Sequence, residues 1–254
     1  AVSAAEADYI QVLPNGAMDL PFVDGFEAEF LDAENWFHNN TFVDGDGWEV
    51  TTAASASGGQ SMWIRNYSND LEFNSDALIT STMDMSNTLE IHVSYKWAYA
   101  FRGTDEDEDD TDDRLKVYAS GDCGATWNLR RMHRGYTDLP SAPPHPFMFL
   151  PNGPDEWNEH TLVLPYEAYL TNQFRLKFEF ESRLGNNIFL DDVNIVAVGT
   201  NDIATATAQG QLDLRMYPNP VGDNGVATLA FRTVEPHLAG VVVRDLAGRV
   251  IAQP

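Results

Sequence analysis

The chain has 254 residues, 43% of them hydrophobic, and carries 39 Asp and Glu against 15 Lys and Arg, a formal charge of -24. That length and apolar content allow one large all-β domain or two smaller ones and exclude global disorder. The charge argues against nucleic acid and anionic membrane as partners, because both require positive surface, and favours high solubility and divalent cations. Cys123 is the single cysteine, so no disulfide forms within the chain, and no run of 18 apolar residues is present to span a membrane.

Residues 1–20 are Ala-rich, end in "PNGAMDLP" and read as a linker. They lack the charged start and apolar centre of a signal peptide, which suggests a processed or excised part of something longer. From residue 21 to 199 the pattern is strand after strand: "SMWIRNY" (61–67), "ALITSTM" (77–83), "LEIHVSYKWAYAF" (89–101), "RLKVYAS" (114–120), "WNEHTLVLP" (157–165), "QFRLKFEFES" (173–182) and "NIFLDDVNIVAV" (187–198). Alternation is clearest where Phe174, Leu176, Phe178 and Phe180 face Arg175, Lys177, Glu179 and Glu181. Gly, Asn, Asp and Pro clusters punctuate the strands and no long amphipathic helix is evident, so a jelly-roll β-sandwich is expected. Residues 200–212 are small and polar and read as a linker. A second, small unit follows over 213–254, with strands at "VATLAF" and "GVVVRDLAGRVI" and a hairpin turn at "DLAGR". A unit of this size rarely builds an independent core.

Signals for catalysis are sparse. The six histidines stand in no H-E-x-x-H or other paired zinc spacing, and there is no nucleophile elbow, phosphate-binding loop or dinucleotide fingerprint. Cys123 lies in "SGDCGATW" (120–127), which looks like an Asp-box hairpin turn. There Asp122 bonds turn amides, Gly124 supplies the permissive backbone and Trp127 packs under the turn. The run "GTDEDEDDTDDR" (103–114) holds eight acidic residues and reads either as a solvated loop or as a surface cation site, without EF-hand spacing.

Two acidic residues interrupt the strand "IFLDDVNIV" (188–196). By simple alternation Phe189, Asp191, Val193 and Ile195 share an inward face, and a lone ionised carboxylate there needs a cation, hydrogen-bond donors or a raised pKa. "DGFEAEF" (24–30) and "FVDGDGWEV" (42–50) also set carboxylates beside aromatic residues. If the first and last strands pair, Glu27, Asp44, Asp46 and Asp191 converge, as calcium sites built from separate strands require; Asp44 to Gly47 alone also reads as a simple turn. Among the aromatics, Trp97 and Tyr99, on one face of the strand that leads into the acidic run, are the best candidates for stacking on a ligand.

Two stretches resemble known families. "LRMYPNPVGDNGVATLAF" and "VVVRDLAGRVI" resemble the C-terminal sorting domain of type IX secretion cargo in Bacteroidetes, here partial. "PFVDGFEAE", "DGDGW", "SGDCGATW" and "GNNIFLDDVNI", in that order, are similar to jelly-roll modules of the MAM and cleaved-adhesin type. The second resemblance implies a structural calcium between Glu27 and Asp191, with Asp44 and Asp46 from the turn and Asp24 and Asp192 as further candidates. It also implies a non-catalytic module for protein or glycan ligands, and the sorting-domain resemblance implies a secreted or outer-membrane cell-surface protein that engages the type IX secretion machinery. The alternatives are an accessory domain of a secreted pappalysin-like zinc metalloprotease, and a structural subunit of a cell-surface assembly.

Overall fold

A computed structural model of the chain describes residues 17–40, 47–103 and 112–199, and the backbone of four short strands at 213–217, 228–232, 243–244 and 250–252. The chain divides into two units, Ala1–Asn201 and Asp202–Pro254.

The first unit contains β1 (Ala17–Met18), β2 (Phe22–Asp24), β3 (Trp36–Asn40), β4 (Glu49–Thr51), β5 (Ser61–Ile64), β6 (Ser75–Thr80) and β7 (Thr82–Met83). It continues with β8 (Glu90–Arg102), β9 (Arg114–Ser120), β10 (Asn128–Arg134), β11 (Ala142–His145), β12 (Asn158–Leu164), β13 (Arg175–Glu181) and β14 (Ile188–Val198). One sheet has five strands in the order β10-β9-β13-β6-β3. The other has seven: β12 and β11 share one edge of β8, β14 lies on its other edge, and β2 and β5 share the far edge of β14, with β4 beyond β5. The chain crosses repeatedly between the sheets, from β5 to β6, β8 to β9, β12 to β13 and β13 to β14, while β9 and β10 form a hairpin within the first. The result is a jelly-roll sandwich, and among the described residues no α-helix occurs. β1 adds a short parallel pair with β7.

Alternation builds the core as expected. Phe174, Leu176, Phe178 and Phe180 point inward against Ile91, Val93, Tyr95 and Trp97 of β8 and Ile188 and Leu190 of β14. Arg175, on the opposite side of its strand, is also buried, its Nη1 donating to the Thr80 carbonyl at 3.2 Å. A second apolar cluster of Ala98, Ala100, Phe149 and Phe189, with Trp63 and Trp157 against it, lies on the other face of the seven-stranded sheet.

β14 departs from simple alternation. Asp191 pairs with Lys96 and Asn194 with Ser94, so three steps on β14 match two on β8. Asp192 takes φ +48, a left-handed conformation that Asp tolerates better than most residues. This bulge reverses the phase of the strand. Ile188 and Leu190 face the main core before it and Val193 and Ile195 after it, while Phe189 belongs to the outer cluster. The expectation that Phe189, Asp191, Val193 and Ile195 share one inward face is therefore corrected: Asp191 lies on the Phe189 side.

In the second unit β15 (Asp213–Tyr217) pairs antiparallel with β16 (Thr228–Arg232), and β17 (Val243–Arg244) with β18 (Val250–Ala252). The "DLAGR" turn lies outside the described residues.

Candidate functional site

The two acidic residues of β14 mark a seam in the sheet. β5 covers Ile188 to Leu190, and β2 covers Val193 to Ile195 on the same edge. Asp191 and Asp192 sit where one neighbour gives way to the other, and the segments that leave β2 and enter β5 close over the gap.

Asp191 is 0% exposed. Its Oδ2 accepts the amide N–H of Ala56 at 2.7 Å and of Ser57 at 3.3 Å, and its Oδ1 accepts the Asp192 amide at 2.7 Å. Burial pushes the carboxyl pKa up to about 6, and the amides counter the rise. Asp192 accepts the Ser57 hydroxyl at 2.6 Å and forms an ion pair with Lys96 at 2.9 Å. That pairing raises the Lys96 pKa. Glu27 accepts the Gly59 amide through both oxygens, at 3.0 and 3.1 Å, and the Gln60 amide at 3.3 Å. Gly58 takes φ +61, and a side chain there would collide with the Glu27 carboxylate. Asp24 accepts the Phe26 amide and the Trp36 indole N–H, each at 2.7 Å. The four described carboxylates thus staple loop 53–60 and the exit of β2 to the edge of β14.

Asp44 and Asp46 lie outside the described residues. Among the described residues no group of three His, Cys, Asp or Glu side chains is placed to hold a metal ion. The seam does gather oxygens: Asp192 Oδ1, Asp191 Oδ1 and Ser57 Oγ lie 3.6, 3.8 and 4.0 Å from the point a Cβ on Gly25 would occupy. Two carboxylates and a hydroxyl on the open side of a glycine are hard donors of the kind calcium takes, fewer than the six to eight it requires.

Trp97 and Tyr99 are 3% and 0% exposed. The Trp97 indole N–H donates to the Leu139 carbonyl at 2.8 Å, and its ring lies 4.1 Å from that of His133. Both residues are core, so neither offers a face to a ligand. β8 is central and long, and both of its sides are covered, so the shared face of Trp97 and Tyr99 is the inner one.

Tyr99 leads to a group that its sequence context conceals. Asp113, at the end of the acidic run, is 0% exposed. Its Oδ2 accepts the Tyr99 hydroxyl and the Asn66 side-chain amide, both at 2.9 Å, and its Oδ1 accepts the Arg183 amide at 2.6 Å and the Gly185 amide at 3.3 Å. Burial pushes its pKa up to about 7. Asp112, by contrast, pairs with Arg114 and Arg134 at 2.7 Å each; residues 104–111 lie outside the described set.

Further chemistry-bearing groups among the described residues are also engaged. His133 is buried with Nε2 2.8 Å from the Tyr95 hydroxyl, and burial pushes its pKa down to about 4. In the turn after β9, Asp122 accepts the Thr126 amide at 2.9 Å and its hydroxyl at 2.6 Å, while Cys123 and Gly124 take φ +61 and +89. Lys177 Nζ stands 5.3 Å from the Trp127 ring.

No known family's sequence profile matches the chain, and no curated protein matches it. Among solved structures, a cleaved adhesin domain of Lys-gingipain from Porphyromonas gingivalis aligns at 20% identity and TM-score 0.49, covering 71% of this chain and 100% of that one. The CBM22-1 xylan-binding domain of Paenibacillus barcinonensis Xyn10C aligns at 13% identity and TM-score 0.41 over 72% and 96% of the two chains. The carbohydrate-binding module TmCBM61, solved with β-1,4-galactotriose, aligns at 12% identity and TM-score 0.40 over 64% and 88%. With likenesses of this degree the fold is read from the strand register itself.

Proposed function

We propose that the first unit is a non-catalytic recognition module for a protein or glycan ligand, carried by a secreted, cell-surface protein. The observation behind this reading is that the buried groups fit for acid–base chemistry serve as framework. Asp191 and Asp113 are held by backbone amides and neutral side chains, and His133 is packed against Tyr95 and Trp97. None of the three reaches solvent, where a substrate would have to meet it. The second unit serves as the sorting domain that its "YPNP" and "DLAGRVI" stretches resemble, with the type IX secretion machinery as its partner. Calcium belongs to the proposal at one place, beside Gly25, where Asp191 and Asp192 would hold it. There it would neutralise the paired carboxylates and tie β2 to β14.

The test is retention against turnover. The purified chain is passed over immobilised glycans and extracellular proteins and, separately, incubated with peptide and glycoside substrates. Retention with the ligand recovered unchanged is the expected result. Product in multiple turnovers per chain would overturn the reading.

A further inference from the structure

A cavity lies away from the acidic seam, at the end of β8. It has a volume of about 380 Å³, and its walls come from Phe101 on β8, the turn after β10 (Tyr136, Thr137, Pro140) and β11 (Pro143, Pro144). That volume falls within the ~300–1,000 Å³ of small-ligand sites. In a chain with 39 acidic and 15 basic residues, no charged residue lines this cavity among the described residues. The lining consists of proline rings, aromatic carbon and hydroxyl groups.

The walls are fixed before any ligand arrives. The amides of Thr137, Asp138 and Leu139 all donate to the Arg134 carbonyl, at 3.1, 3.2 and 2.9 Å, which closes the turn. The Arg134 guanidinium lies 4.5 Å from the centre of the half-buried Tyr136 ring and is held by Asp112 at 2.7 Å. On the other wall Ser141 donates its amide to the Tyr99 carbonyl at 2.8 Å and its hydroxyl to the Glu156 carbonyl at 2.6 Å. Walls ordered in advance lower the entropic cost of binding.

The hydrogen-bonding character of the lining selects the ligand. Pro140, Pro143 and Pro144 have carbonyl acceptors and no N–H. A peptide cannot extend the sheet along β11, because two of its four residues lack the donor that strand addition needs. A ligand must instead bring its own O–H donors, carry no charge and present a flat C–H face to Tyr136. We propose that this cavity is a subsite for a neutral sugar residue of a glycan, an inference that rests on the recognition-module reading above and gives it a location and a ligand class.

The probes are neutral oligosaccharides (hexose, pentose and N-acetylhexosamine trimers) and uronic acid trimers at millimolar concentration, followed by saturation-transfer NMR on the full chain. The variants are Tyr136→Ala, which removes the ring, and Thr137→Arg, an exposed position that fills and charges the mouth without touching the core. The expected result is binding of at least one neutral trimer, weakened about tenfold or more in both variants while their unfolding midpoints match the wild type. Undiminished binding in both variants would overturn the cavity assignment and leave the module reading intact. Binding of the uronic acid trimers alone would overturn the neutral class. Retention on a protein surface with no glycan binding would overturn the sugar assignment alone, and turnover of any probe would overturn the module reading itself.

Discussion

Asp113→Asn isolates the cost of a buried carboxylate that no cation neutralises. Burial moves its pKa from 3.8 to about 7. Between those values the folded chain holds a proton that the unfolded chain has released, so this group's contribution to stability falls as pH rises. The effect is absent below pH 3.8 and complete above pH 7, and the interval converts to about 4 kcal/mol. Asparagine carries no such dependence. It keeps an oxygen for the Arg183 and Gly185 amides, and its new NH2 meets Asn66, whose buried Oδ1 has no hydrogen-bond partner and can turn to accept it. The exchange gives up charge-assisted bonds, so the net gain for Asp113→Asn at pH 8 is expected at about 1–3 kcal/mol, with near-equality or a small loss at pH 4. His133, with its pKa lowered to about 4, stabilises the fold as pH rises from 4 to 6.5 and contributes equally to both proteins. The difference between the two curves therefore reports Asp113. Urea unfolding by tryptophan fluorescence at pH 4, 6 and 8 measures it, and parallel curves for wild type and variant would refute the reasoning.

Other perturbations follow from the same geometry. A Cβ at Gly185 would collide with Asp113 Oδ2 and lie 2.6 Å from the Tyr99 hydroxyl, so Gly185→Ala should cost about 2–4 kcal/mol in the same urea titration. Trp36→Phe keeps a ring among Phe22, Phe26 and Phe178 and loses the indole bond to Asp24; the expected loss is about 1.5–3 kcal/mol in thermal unfolding, and Asp24→Ala should add only about 1 kcal/mol in the double variant, for the Phe26 amide bond, less than it costs alone. Millimolar calcium should raise the unfolding midpoint over an EDTA-treated sample, and Asp191→Asn should abolish the rise; equal midpoints in the wild type would remove calcium from the proposal.

Much of the sandwich was legible in the sequence because β13 and β9 keep strict alternation with one face buried. The strand expected at 114–120 is β9, Arg114–Ser120, without adjustment. β10 was missed: Asn128–Arg134 is an edge strand rich in arginine, and its half-exposed side chains carry no hydrophobic period. Trp36–Asn40 was missed for a related reason, since the asparagines that end it are poor strand formers. The inner face of β14 was misread because a bulge has no period, although two adjacent Asp residues mid-strand do suit a left-handed residue. Trp97 and Tyr99 shared a face as expected, but alternation alone does not say which face meets solvent. Asp113 was concealed by composition, as the last of eight acidic residues and the buried one. The cavity beside Tyr136 forms where the stretch 135–144 folds against Phe101 of β8, a pairing that no local pattern signals.

The account rests on Asp191 being a framework group whose carboxylate is held by the loop above it. Amide hydrogen exchange at Ala56 and Ser57 tests that directly, in the wild type and in Asp191→Ala. The account predicts a protected Ala56 amide in the wild type and loss of that protection in the variant, with the β13 amides slow in both. An Ala56 amide that exchanges freely in the wild type would contradict it.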